Sequence, residues 1–171
     1  MGITIHFEGR LKGDSAYEAL IHAAEQFALA RGWQAKGFLV ARTTLSRVRN
    51  GEDWNYEGPT KGIELQPHPS SEPIRLEFDE NLFIQEYTKT QFAPPETHKE
   101  LVLLLDQLIP LFESLEVIDE GQYFETRDEE LLLNLRDQCF EMLDEHLAND
   151  LTLRGPVRLP SGRIADLVSD T

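Results

Sequence analysis

The sequence predicts a single α+β domain: a mostly antiparallel sheet with about three helices packed on one face. Strict apolar–polar alternation near the N-terminus supports it. So do segments of helical period separated by extended ones, and hairpin-length connections between the central extended segments. With 171 residues there is room for one complete core and not for two. Residues 1–150 are expected to form this domain and 151–171 an extended arm or loose tail.

In "ITIHFEG", Ile3, Ile5 and Phe7 point one way and Thr4, His6 and Glu8 the other, as in a half-buried strand. Ser15 and Glu18 then stand at capping-box spacing, ahead of an apolar stripe of Tyr17, Leu20, Ala24, Phe27 and Ala28. Gly32 is a suitable terminator. Residues 38–42 and 45–49 read as short strands, and 50–59 as a loop. Three extended segments follow. Ile63 and Leu65 share a face in the first, and Ile74, Leu76 and Phe78 in the second. The third runs from Leu82 towards Phe92, and the connectors "HPSSEP" and "DEN" imply an antiparallel meander.

Pro94 and Pro95 open the next helix, with Leu101, Leu104, Leu105, Leu108 and Phe112 as its buried face. Pro110 should kink or stop it. "LEVID" reads as a further strand. Thr126 is the expected cap of the last helix, with Glu129 at the capping-box position. Its expected core stripe is Leu131, Leu132, Leu135, Cys139, Met142, Leu143 and Leu147.

Composition narrows the function classes. Cys139 is the only cysteine, which fits a reducing compartment. No secretory signal and no apolar run of bilayer length is visible, so a cytoplasmic protein that does not enter a membrane is expected. The net charge of −15 is concentrated: residues 62–150 hold 5 Lys/Arg against 22 Asp/Glu. Such a field repels phosphate backbones, so nucleic acid is not an expected partner; a basic protein surface is. Oligomeric state is not specified by the sequence.

Candidate chemistry falls into three groups. The run "DEGQYFETRDEE" lacks the ligand and glycine positions of a calcium-binding loop. Asp128, Glu129 and Glu130 suit a helix start, where the unpaired N–H groups favour negative charge. Asp119, Glu120 and Glu125 remain, flanking Gly121 and Tyr123, as acids for ligand binding or acid–base work. Gly121 suits a positive φ that would aim them. The second group is histidine, of which His98 opens a helix; no zinc spacing and no phosphate loop occur, so neither metal nor cofactor is expected. The third is the sheet face opposite the helices. There His6, Gln66 and Arg75 are expected beside Glu64 and Glu77, with His68 near the strand end. Depending on register, Gln85, Tyr87, Lys89 and Gln91, or Glu86, Thr88 and Thr90, join them.

The segments "PTKGIELQPHPSSEPIRLEFD", "YTKTQFAPPETH" and "DEGQYFET" resemble signature stretches of a family of small, uncharacterised bacterial proteins. The resemblance covers under half of the chain and implies a bacterial, cytoplasmic, stand-alone domain. That family has no established activity, so no site residue is carried over from it. Two functions are therefore expected from the residues alone. One is an acidic protein acting by protein–protein binding, as an inhibitor, immunity factor or adaptor. The other is a small-molecule-binding domain or hydrolase-like enzyme that uses the carboxylates with His98, Tyr87 or Lys89. A concave pocket would favour the second, and a flat acidic face the first.

Overall fold

The computed structural model describes residues 2–170 and is α+β, with mostly antiparallel sheets. Strand β1 (Thr4–Leu11) leads into helix α1 (Asp14–Arg31). Strands β2 (Gln34–Leu45), β3 (Val48–Arg49), β4 (Glu52–Asp53), β5 (Tyr56–Gln66), β6 (Ile74–Phe78) and β7 (Phe83–Lys89) follow. Helix α2 (Pro95–Leu108), strand β8 (Phe112–Asp119), the short α3 (Tyr123–Thr126) and the long α4 (Glu129–Asn149) complete the body.

Two three-stranded antiparallel sheets form, in the orders β2-β5-β6 and β7-β1-β8. They meet where β6 turns into β7. There the Asp79 N–H donates to Phe83 O and the Glu72 N–H to Lys89 O, each at 3.0 Å. The alternation read from the sequence decides which face is which. Ile5, Phe7, Ile63, Leu65, Ile74, Leu76 and Phe78 are all buried, packed with α1 residues Leu20, Ala24 and Phe27 and α2 residues Leu101, Leu104, Leu105 and Leu108. Among the described residues no helix lines the opposite face of β7-β1-β8, which presents both polar and apolar side chains.

Several local expectations are corrected. Of the short strands expected at 38–42 and 45–49, the first is part of β2, one strand of 12 residues from Gln34 to Leu45, and the second is reduced to the two residues of β3. A register shift between Val40 and Thr43 breaks the alternation of β2, which hides its continuity in the sequence. The loop expected at 50–59 instead holds β4, which pairs with β3 in a small hairpin, and β5 begins within it at Tyr56. Helix α1 starts from Gly13 with no side-chain cap, so Ser15 makes no capping box; Gly32 ends it as expected, with φ 67°. Pro110 stops α2, and a single 3₁₀ turn, Ile109–Leu111, replaces the kink. The cap of α4 is Asp128, whose carboxylate accepts from the Leu131 N–H at 3.1 Å. Thr126 is already committed to closing α3, its hydroxyl donating to Gln122 O at 2.6 Å. Of the expected α4 stripe only Leu132 and Leu143 are buried. This helix seats by Arg136, which donates to Gln91 O and Ala93 O at 2.9 Å, and by Phe140 against Phe92.

The last 20 described residues fold back as two short antiparallel pairs, β9 (Leu153–Arg154) with β12 (Val168–Ser169) and β10 (Val157–Arg158) with β11 (Ile164–Ala165). Ile164 is buried, and its N–H donates to Glu72 Oε1 at 2.8 Å. Arg163 reaches Glu72 and Glu86, while Asp166 pairs with Lys89. The tail is thereby strapped across the free side of β7.

Candidate binding cleft

Strand register builds the floor of a cleft of about 700 Å³ on the outer face of β7-β1-β8. His6 lies between Tyr87 and Ile118, and Glu8 between Gln85 and Glu116. Two walls stand over β7. One is the segment that carries the β3–β4 hairpin, held by reciprocal bonds between Gln85 and Val48: Val48 N–H to Oε1 at 3.0 Å and Nε2 to Val48 O at 2.9 Å. The other is Arg163, whose guanidinium lies 3.7 Å from the Tyr87 ring centroid. On the β8 side the lining consists of Glu116, Ile118 and Glu120, with nothing beyond the strand. The cleft therefore opens over the β8 edge.

Acids dominate the unpaired charge. Glu8, Asp53, Glu86, Glu116 and Glu120 line the cleft against two arginines, and both arginines are engaged. Arg47 is buried and donates to Asp79 Oδ2 at 2.8 Å and Phe83 O at 3.2 Å. Arg163 donates to Glu86 Oε2 at 2.8 Å, Glu72 Oε2 at 3.1 Å and Tyr87 O at 2.6 Å. Burial pushes the Glu86 carboxyl above its ordinary range, with Arg163 pulling it partly back. Burial also acts to raise Glu120, but the neighbouring His6 imidazole and Thr4 outweigh that and hold it below its ordinary value. The His6 imidazole is 3.8 Å from Glu120 and 5.7 Å, ring to ring, from Tyr87. Between the acids the surface is apolar: Tyr87 is 41% exposed, Val48 55% and Ile118 57%. An isolated cluster of that kind on a sheet face, rimmed by carboxylates, suits a ligand with both cationic and apolar parts.

The residues singled out in the sequence are divided between cleft and core. Tyr87 and Glu120 line the cleft. Lys89 is half-buried and donates to Asp166 and Ile164 O. Gln91 is buried and accepts from the Ile3 N–H at 3.0 Å. His98 and Asp119 are buried together: Nε2 is 2.9 Å from Asp119 Oδ2, and Nδ1 is 2.7 Å from Thr90 Oγ1. This serine-protease-like order of hydroxyl, imidazole and carboxylate is enclosed on all sides, and it ties β7, α2 and β8 together. Asp119 also accepts from the Gly121 and Phe124 N–H groups at 2.7 and 2.8 Å, and Tyr123 packs edge-on to His98. Glu125 is exposed on α3. Asp119, Glu120 and Glu125 therefore do not converge, because alternation along the strand sends Asp119 inward and Glu120 outward. Among the described residues no group of three potential metal ligands comes together. Gly121 is needed for space rather than for φ, since a Cβ there would lie 2.6 Å from Leu132 Cδ1.

Glu8, Glu116 and Ile118 complete the floor and were not singled out. The alternation within "LEVID" puts Glu116 and Ile118 on one face, but their place beside His6 and Glu8 follows from the pairing of β8 with β1, which the sequence does not mark. Arg163 carries no sequence signal, because its position depends on a contact some 76 residues away in the chain. In comparisons with known proteins, the chain matches no family model, no curated protein and no solved structure.

Proposed function

We propose that this protein acts by binding, and that the cleft recognises a basic segment of a partner protein. The observation that carries this is the cleft itself: its free charges are carboxylates, its floor exposes Tyr87 and Ile118, and it opens along one strand edge. Arg163 supplies an internal precedent for the chemistry, a guanidinium stacked on Tyr87 and bonded to Glu86. An acidic molecule also steers a basic partner from a distance.

A small cationic molecule is the second reading, favoured by walls on the β7 side and a volume in the range of small-ligand sites. Calorimetric titration with a Lys- and Val-containing peptide and with spermine separates the two. The peptide is expected to bind more tightly than spermine, because it also covers the apolar floor. Changing Glu8, Glu116 and Glu120 together to Gln should weaken it by about two- to fivefold per residue. Equal binding to the triple variant and the native protein would remove the cleft as the site. Tighter binding of spermine than of the peptide would favour the small-molecule reading.

A further inference from the structure

The hydrogen-bond phase of β1 fixes which way the backbone of β8 points. Towards β7, β1 uses its odd-numbered residues: Thr90 N–H donates to Ile3 O, and Leu11 N–H to Leu82 O, each at 3.0 Å. Its even-numbered residues therefore face β8, as the Glu120 N–H to Thr4 O bond of 3.1 Å shows at the other edge. In an antiparallel ladder such pairs alternate. Glu116 and Ile118, opposite Glu8 and His6, thus turn their backbone groups to β1. Leu115 and Val117 turn theirs outward, and among the described residues no neighbouring strand receives them, since β8 ends the sheet.

We propose that the partner's basic segment binds as an added strand on the β8 edge, its backbone paired with Leu115 and Val117 and its cationic side chains over Glu116 and Glu120. The proposal rests on the cleft being a site for a basic ligand, and it adds how that ligand is held. The two free sheet edges differ in the way this requires. β2 is broken by a register shift between Val40 and Thr43 and carries Lys36 and Arg42, devices that discourage strand addition and repel a basic segment. β8 has its only shift at its start, beside Arg10 and Leu11, and continues regularly to Asp119. Its outward side chains are Glu113, Ser114, Glu116 and Ile118, so backbone pairing and charge complementarity coincide on one strand. The regular edge from 114 to 119 is about 17 Å long at ~3.4 Å per residue, enough for a segment of five or six residues. Every second side chain of such a segment would fall on the outer face, over the floor of the cleft.

The test uses an acetylated, amidated octapeptide of alternating Lys and Val, together with two counterparts N-methylated at alternate residues, one for each edge of the peptide. N-methylation removes backbone donors and blocks pairing along one edge while leaving side chains and charge in place. Calorimetry and amide hydrogen exchange are followed on the full-length protein. Strand addition predicts that at least one N-methylated frame binds tenfold or more weakly. It also predicts that the parent peptide alone slows exchange of the Leu115 and Val117 amides. If both methylated peptides bind like the parent and those two amides are unprotected, strand addition is overturned while the cleft reading stands. If neither the parent peptide nor spermine binds, the cleft reading falls and takes strand addition with it.

Discussion

Asp119 shows how one residue can look functional in the sequence and serve the fold. It lies in an acidic run, yet its carboxylate is buried and accepts from Gly121, Phe124 and His98. Burial acts to raise its pKa, but the His98 bond and the two backbone N–H groups outweigh burial and hold it below its ordinary value. A carboxylate with a lowered folded-state pKa stabilises fully above the unfolded value, about 3.9, and loses that contribution as pH falls through the folded one. Asp119→Asn should therefore cost about 1–3 kcal/mol near neutral pH and flatten the loss of stability below about pH 4. Urea denaturation across that range measures both, and an unchanged acid limb would clear Asp119 of this role. The sequence marked His98 and Asp119 as notable, and they do meet. It did not reveal that they are enclosed, because the end of β8 and the turn into α3 decide which acid points inward.

At the scale of elements, simple periodicity was legible and long-range docking was not. β1, β5 and β6 bury the apolar residues their alternation marks, and α1 and α2 bury the stripes expected of them, apart from Tyr17, which stays half-buried, and Phe112, which is buried from the start of β8 rather than from α2. The full length of β2 was not legible because its bulge shifts the phase midway, and the docking of the tail was not because Arg163 and Ile164 find their partners on β7 and in the segment before β6. The start of α4 turns on a local competition. Thr126 and Asp128 are both good caps by type, but α3 consumes the Thr126 hydroxyl and leaves Asp128 to accept from Leu131. Asp128→Ala is expected to cost about 0.5–2 kcal/mol, and Thr126→Ala less, since its hydroxyl bonds only to exposed turn groups, donating to Gln122 O and accepting from the Asp128 N–H. Thermal and urea denaturation of the two variants reads the order directly. A larger loss from Thr126→Ala would mean that α3, not the cap, governs the start of this helix.

For the whole molecule, the net charge of −15 acts on folding and on binding with opposite responses to salt. Like charges spread over one compact surface repel, and that repulsion falls when the chain expands, so charge of one sign destabilises the native state. Salt screens such separated surface charges first. Arg47–Asp79, buried at 2.8 Å, is screened far less, and exposed pairs such as Arg154–Asp170 contribute little at any salt. Stability should therefore rise as sodium chloride is added to a low-salt solution. Attraction of a basic peptide to Glu8, Glu116 and Glu120 is screened by the same ions, so its affinity should fall, mainly through slower association. Melting curves and stopped-flow association, measured over one salt series, should move in opposite directions. If both weaken together, the surface charge is balanced by pairs that matter to the fold, and the acidity of the central segment is not a cost carried for recognition. If affinity is unmoved while stability rises, the cleft holds its ligand through the apolar floor and the strand edge, and the carboxylates serve only to repel the wrong partners.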